Sequence, residues 1–202
     1  NRFRTVKLLG FNSPVKNSID AVQSFDILLE IHCSMSILQS SLMRISEDLM
    51  LWFSNDFNLI DFPDGYCGTS SIMMHKKNPY APQEIKGAAT AAIGGLVTAF
   101  LTEKDPTGVP NIDRASSRNA LYRSFDTAIG GLNWLIDLFP QIQPKKDIMK
   151  TKAGEHWAQA TELATALVIE HDIPWRSAHQ IIGILVRLAL EREIPPMDIT
   201  SL

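Results

Sequence analysis

A polar segment at residues 67–79 contains the side chains of this chain that are best suited to chemistry. It has three consecutive hydroxyl residues, followed by a histidine, two lysines and an asparagine. The hydroxyl of Ser70 is a poor base in its free form, and a nearby cation, Lys76 or Lys77, would stabilise the alkoxide that it forms. The amide of Asn78 can donate a hydrogen bond to a developing oxyanion. These residues predict a site that stabilises an anion; the alternative is a polar surface loop with an Asn-Pro turn.

A long helical pattern precedes this segment. Between Asn17 and Pro63 the sequence has neither glycine nor proline, which predicts one helix from about Asn17 to Ser54, roughly 57 Å long at about 1.5 Å per residue. A second apolar face lies off its main seam and needs its own neighbours, so we expect packing in a multi-chain bundle. The alternative is two shorter helices with an unmarked break. The seam residues, spaced by three and four, are Leu28, Ile31, Met35, Leu38, Leu42, Ile45, Leu49 and Trp52.

The remainder of the chain also has helical patterns. Pro82 is suited to the first turn of the next helix, whose many small residues predict close approach of neighbouring helices or a kink at Gly94–Gly95. No segment shows the alternation of a strand, so the predicted fold is all-α, a long-helix bundle with a small helical C-terminal domain. The next two helices are predicted at about 82–102 and 118–139, and three short ones at 145–152, 157–170 and 172 onward. The two predicted domains are residues 1–140 and 141–202.

Composition and charge argue against several classes of function. The chain has 202 residues, 45% of them hydrophobic, and a net charge of −3, without a basic stripe for nucleic acid. Cys33 and Cys67 lack zinc or redox spacing, so we expect no metal, no cofactor and a reducing, cytoplasmic compartment. The longest apolar run, 88–101, is shorter than the roughly 20 residues of a membrane span, and no signal peptide is visible. Because the first residue is Asn1, we expect a piece of a longer protein.

The polar segment resembles the signature loop of the fumarase/aspartase superfamily, whose pattern is G-S-x-x-M-x-x-K-x-N. Ser70, Met73, Lys76 and Asn78 match that pattern at the required spacings. The resemblance is closer to the argininosuccinate lyase family, which writes the loop as G-S-S-x-M-P-Q-K-K-N-P. Other segments that resemble this family are 8–11, 17–22, 47–52 and 173–183.

The resemblance implies a mechanism and an assembly. Enzymes of this superfamily remove a proton from the carbon beside a carboxylate and expel an amine or hydroxyl from the next carbon, commonly giving fumarate. By this resemblance Ser70 is the base, and Lys76 and Asn78 stabilise an aci-carboxylate intermediate. It also implies a small N-substituted aspartate as substrate, a loop that closes as a lid, and a site built from three subunits of a homotetramer. The residues that it assigns to substrate binding are Ser71, Met73, Asn111, Asp113 and Arg118.

Several positions depart from the argininosuccinate lyase pattern. The glycine before the serine is Thr69, and Pro-Gln is Met74–His75, which changes the backbone freedom of the loop. A family arginine aligns with Phe25, so a positive charge is lost there. These changes leave two alternatives: the same elimination on another N-substituted aspartate, or a non-catalytic helical assembly protein. In the family segment Y-N-R-D-x-Q-E-D-K the changed positions include Pro110, Ile112, Ala115 and Arg118.

The histidine linked to acid catalysis in this superfamily aligns before residue 1, and we expect this chain alone to be inactive. No histidine here replaces it by position. His32 falls within the long helical pattern, His156 and His171 fall near predicted helix ends, and His179 has apolar neighbours. We expect all four to be structural or solvated.

Overall fold

The computed structural model describes residues 1–104 and 112–199, and the all-α prediction is confirmed. The chain divides into two compact units, residues 1–54 with 62–142, and residues 55–61 with those from 143 onward. The helices in the described residues are α1 (Arg2–Leu8), α2 (Ser18–Gln23), α3 (Asp26–Phe53), α4 (Tyr80–Thr102), α5 (Arg114–Leu138), α6 (Lys146–Ala153), α7 (Ala160–His171) and α8 (Trp175–Glu191). The strands in the same residues are β1 (Ile60–Asp61) and β2 (Gln143–Pro144).

The first unit is built on α3, α4 and α5. The hydroxyl of Ser36 donates to the carbonyl of Ala92 across 3.3 Å, and Glu47 forms an ion pair with Lys86. A later residue of α3 thus contacts an earlier residue of α4, so these two helices run antiparallel. Their connection, which holds the polar segment, joins the C-terminal end of α3 to the N-terminal end of α4.

Small residues set the approach of α4 to α5. A Cβ atom added at Gly95 would lie 3.3 Å from the Cβ atom of Ala120, and one added at Gly131 would lie 3.5 Å from Ile85. This confirms the prediction that small side chains allow close packing, and α4 continues through Gly94–Gly95 as one helix. The two contacts also show that α5 is antiparallel to α4, and therefore parallel to α3.

The side of α3 that is buried in this chain differs from the predicted apolar seam. Three polar residues at seven-residue spacing, His32, Gln39 and Ser46, are fully buried. The amide of Gln39 donates to the Ser124 carbonyl across 2.8 Å. In contrast, three apolar seam residues are left at least 36% exposed within the chain: Leu38, Ile45 and Trp52. The seam prediction is therefore only partly correct for a single chain.

The prediction of one helix over residues 17–54 is wrong. Helix α2 ends at Gln23, Ser24 is extended, and α3 begins at Asp26. The carbonyls of Val22 and Gln23 accept hydrogen bonds from the side chain of Arg114 at the start of α5. This contact from a distant part of the chain accounts for a break that no glycine or proline marks.

Within residues 1–104 and 112–199, two segments, Ser18–Phe53 and Tyr80–Thr102, are long and apolar enough to cross a membrane by length and composition. The sequence prediction considered only the apolar run at 88–101, which is shorter than a membrane span. Helix α4 extends beyond that run. Length and composition alone are weak evidence of a span, because the core helices of soluble bundles share them. Here the first segment includes the break between α2 and α3.

The second unit has a small core of its own. Helices α7 and α8 pack through Ala164, Ala178 and Ile182. Asp172 ends α7 in the left-handed conformation, with φ of 52°, which turns the chain into α8. The two short strands pair antiparallel, with Ile60 opposite Pro144, and this pairing joins residues 55–61 to the unit.

Candidate active site

The polar segment forms a loop that is closed at its base. The backbone N–H of Gly68 donates to the Asn78 carbonyl across 2.8 Å, and the N–H of Asn78 donates back across 3.0 Å. A turn lies inside the loop, where the N–H of Lys76 donates to the Met73 carbonyl across 3.1 Å. Ser70, Lys76 and Asn78 are therefore on one short closed loop directly before α4.

Backbone N–H groups hold the hydroxyl of Ser70. Its Oγ accepts hydrogen bonds from the N–H of Ile72, at 3.3 Å, and the N–H of Met73, at 3.1 Å. Two donors directed at one oxygen favour its anionic form, as in an oxyanion hole. The backbone thus directs two donors at Ser70 Oγ, an arrangement suited to an alkoxide that the sequence pattern did not reveal.

The two lysines of the loop have different surroundings. The ammonium of Lys77 lies 2.6 Å from the Asp64 carboxylate, in the 3-10 turn Asp64–Tyr66 that precedes the loop. The Lys76 side chain is exposed and makes no ion pair with the described residues. Lys76 is therefore the lysine with a charge available for a bound anion, and Lys77 holds the base of the loop.

The departures at the edges of the loop are tolerated by its backbone. No residue of 67–79 has a positive φ, so the exchange of the family glycine for Thr69 causes no backbone strain in this conformation. Ile72 and Met74 are 89% and 96% exposed, and His75 is also exposed. The loop presents these side chains outward, where they are free to meet a substrate or another chain.

The second predicted segment lies at the start of α5. Asp113 is the residue before the helix, and its carboxylate is 4.0 Å from the ammonium of Lys104. Arg118 lies one turn into α5 and is exposed, and Ile112 is 85% exposed. The predictions for Asn111 and Pro110 fall outside the described residues.

The structure does not bring the two predicted segments together within one chain. The polar loop precedes the N-terminal end of α4, and the second segment follows its C-terminal end. With 23 residues, α4 separates them by about 33 Å at about 1.5 Å per residue. Ser71 and Met73 are on the same loop as Ser70, whereas Asp113 and Arg118 are at the other end of the bundle.

A buried histidine supports the second segment. His32 on α3 is 1% exposed, and its Nε2 atom lies 3.2 Å from the Ser117 carbonyl and 3.3 Å from the Ser117 hydroxyl. A carbonyl only accepts, so Nε2 carries the hydrogen, and the buried Nδ1 atom has no hydrogen-bond partner in the described residues. His32 is therefore structural. Its seven-residue spacing from Gln39 is the feature of the sequence that could have indicated buried polar residues on this side of α3.

Burial lowers the pKa of His32 from 6.5, against the opposing effect of its hydrogen bond to the Ser117 carbonyl. The unfolded chain therefore takes up this proton first as the pH falls, and the stability present above about pH 6.5 is lost below it. We expect the free energy of unfolding in urea to fall less steeply from about pH 7 to about pH 5 in His32→Gln than in the wild type. The control His171→Gln, at an exposed site, should keep the wild-type slope. Equal slopes for all three proteins would contradict this role of His32.

His156, His171 and His179 belong to the second unit. His179 and Trp175 line an apolar groove of about 230 Å³ between α7 and α8 in the second unit. His156 lies in the connection before α7 with a φ of 55°, and His171 is the last residue of α7.

Two family profiles match the chain. One, described as "Lyase", matches residues 2–94, which include α3, the polar loop and most of α4. The other, described as "Argininosuccinate lyase C-terminal", matches residues 157–201. Together they include parts of both compact units.

Curated relatives match along the whole length of the chain. The argininosuccinate lyase of Thioalkalivibrio sulfidiphilus is 34% identical over 204 residues, covering 100% of this chain and 44% of the relative. That of Methylococcus capsulatus is 36% identical over 207 residues, with the same two shares. The chain therefore spans less than half the length of the curated relatives that it matches.

Solved structures share the fold. An EDDS lyase in complex with formate superposes with a TM-score of 0.70 and 30% identity, covering 96% of this chain and 38% of that one. A class II fumarase from Schistosoma mansoni gives a TM-score of 0.72 at 17% identity, covering 96% of this chain and 43% of that one, which shows the fold alone. The two profiles and the curated relatives together show that this chain belongs to the fumarase/aspartase superfamily and is similar to argininosuccinate lyases.

Proposed function

We propose that this chain provides the catalytic loop of a carbon–nitrogen lyase that releases fumarate from an N-substituted aspartate, with argininosuccinate as the first candidate substrate. The observation that carries the proposal is the closed loop at 67–79. It combines a serine oxygen held by two backbone N–H groups with Lys76, whose ammonium makes no ion pair among residues 1–104 and 112–199. The similarity to argininosuccinate lyases over the whole chain supports the same reaction class.

In this mechanism Ser70 acts as the base. Its oxygen takes a proton from the carbon beside a substrate carboxylate, and the electron pair of that C–H bond moves onto the carboxylate as an aci-carboxylate. Lys76 and Asn78 stabilise the added negative charge. The electrons then form the carbon–carbon double bond of fumarate, and the C–N bond breaks with its electron pair on the amine nitrogen. We propose that substrate contacts come from Ser71, Met73, Asn111, Asp113 and Arg118.

A complete site requires more than one chain. The loop and the second segment are separated by the length of α4, so a substrate bound by both must contact different chains. We therefore propose a homotetramer in the cytoplasm, in which the loop of one chain meets the α5 start of another. An acid that protonates the leaving amine would come from sequence that the matched relatives have beyond the region covered here.

Apolar side chains on the outer faces of the bundle favour this self-association. They are Leu38, Ile45, Trp52, Ile93, Val97, Phe100, Phe125, Ile129 and Ile136, all at least 36% exposed. We expect the complete gene product to sediment as a tetramer, and the single substitutions Val97→Asp and Ile129→Asp to shift it toward smaller species, because a charge buried between chains is costly. Ile169→Asp, on α7, is the control and should leave the tetramer intact. A monodisperse wild-type monomer would contradict the assembly.

The direct test of the function is product formation by the complete gene product. We expect argininosuccinate to give equal amounts of fumarate and arginine. If no fumarate forms from argininosuccinate or from any other N-substituted aspartate, and Ser70→Ala changes nothing, the proposed function is wrong. Inactivity of the 202-residue chain by itself would not bear on the proposal, because the proposed site also takes residues from the part of the relatives that this chain does not match.

A second candidate keeps the chemistry and changes the substrate. The exposed Ile112 and the half-buried Ala115 replace an arginine and a glutamine of the argininosuccinate lyase pattern, so the polar contacts of those side chains are lost. The EDDS lyase is a similar protein whose name indicates another substrate. A panel of aspartates with aliphatic, carboxylated and guanidinium N-substituents separates the candidates. A clear preference for argininosuccinate would exclude this second one.

A further inference from the structure

Arg114 has the most extensive side-chain contacts at the start of α5. Its guanidinium is buried, with the side chain 9% exposed, and its Cζ atom lies 3.6 Å from the centre of the Phe25 ring. Nη1 donates to the Val22 carbonyl at 3.3 Å, and Nη2 donates to the Gln23 carbonyl. Nη2 also lies 3.5 Å from the carboxylate of Glu103. One side chain thus contacts three separate parts of the first unit.

These contacts are not explained by helix preferences. An arginine as the first residue of α5 faces the positive end of that helix, where acidic residues are favoured, so its position is locally unfavourable. At the C-terminal end of α2 the same positive charge is favourable, because the last carbonyls of a helix lack partners within it and attract a cation. Arg114 therefore caps the C-terminal end of α2, which has no basic residue in its own last turn.

The same side chain joins the two ends of the connection between α4 and α5. Glu103 directly follows α4 and Arg114 begins α5, so their ion pair links the facing ends of these two helices beside Asp113. The stack on Phe25 links the same place to the joint between α2 and α3. Aromatic stacking and a planar fork of donors are properties that lysine lacks.

We propose that Arg114 is a positioning residue for the substrate-binding segment: it fixes the start of α5, and with it Asp113 and Arg118, against α2 and α4. The inference rests on the proposed function and adds a residue that does not itself touch the substrate. Phe25 stands where the family has an arginine, and the guanidinium of Arg114 from α5 places a positive charge over its ring.

The test compares Arg114→Met, Arg114→Lys and the control Arg123→Met in the complete gene product; Arg123 is an exposed arginine further along α5. We expect Arg114→Met to raise the KM for the N-substituted aspartate about 10- to 100-fold with a smaller change in kcat. Arg114→Lys should give a KM between those of Arg114→Met and the wild type, because lysine keeps the positive charge but lacks the planar donors of the guanidinium. Arg123→Met should match the wild type.

Hydrogen exchange of backbone amides gives a measurement that does not depend on activity. In Arg114→Met we expect exchange to accelerate at residues 22–26 and 112–116, while the centres of α3 and α4 stay protected. Uniform acceleration throughout the protein would mean that Arg114 serves only general stability, and would overturn the proposal. Unchanged exchange with unchanged KM would overturn it as well. If the wild type releases no fumarate, the proposed function fails, and the exchange pattern alone decides whether Arg114 holds this joint.

Discussion

Replacing Ser70 by alanine in the complete gene product should lower kcat for fumarate release about 100- to 10,000-fold, the range for loss of a positioned base. The hydroxyl of Ser70 accepts two backbone hydrogen bonds, from Ile72 and Met73, and so is held where an alkoxide is stabilised. An alanine leaves both donors without an acceptor and removes the proton acceptor of the reaction. Steady-state fumarate release measures the loss.

The adjacent serine is the matched control. Ser71 is exposed on the same loop, and we expect Ser71→Ala to change KM more than kcat because we assign this residue to substrate contact. Gel filtration of each variant should show the wild-type assembly. If Ser70→Ala keeps the wild-type kcat while Ser71→Ala loses it, the assignment of the base is wrong.

Replacing Lys76 by methionine should lower kcat about 100- to 1,000-fold, as expected when one group that stabilises an oxyanion is removed. The Lys76 ammonium makes no ion pair with the described residues, so its charge is available to the aci-carboxylate. Methionine keeps an unbranched side chain of similar length, one atom shorter, and removes the charge and the ammonium hydrogen-bond donors.

The neighbouring lysine provides the comparison for this second variant. Lys77 forms an exposed ion pair with Asp64, and exposed pairs contribute about 0–1 kcal/mol. Lys77→Met should therefore retain kcat within a few-fold of the wild type. Equal losses in both variants would show that the net charge of the loop matters and that Lys76 has no specific role.

The helical fold was predictable because its signals are local. Apolar spacing together with Pro63, Pro82 and the Pro140–Pro144 region set the helices to within a few residues. The alternative of two helices was foreseen, but the place of the break between α2 and α3 was not predictable, since Arg114, which binds the carbonyls there, is 91 and 92 residues away in sequence. The pairing of β1 with β2 also joins distant two-residue segments, which carry no alternation of their own.

The candidate site was predictable in its residue types and only partly in its geometry. The pattern of Ser70, Lys76 and Asn78 identified the loop, because those side chains are close in sequence. The backbone donors to Ser70 and the Gly68–Asn78 pairing were not predicted, since any residue type supplies a backbone N–H. The distance between the loop and Asp113 follows from the length of α4, for which the sequence pattern predicted a helix at about 82–102.

The most direct measurement of the central claim, that this loop carries the base of a fumarate-forming lyase, is a single-turnover reaction. The complete gene product is mixed in excess over argininosuccinate and over the other N-substituted aspartates of the panel, and fumarate is followed with time. We predict rapid fumarate formation from at least one substrate by the wild type, and a rate at least about 100-fold lower for Ser70→Ala, with substrate binding retained. Equal single-turnover rates for the two proteins would contradict the claim.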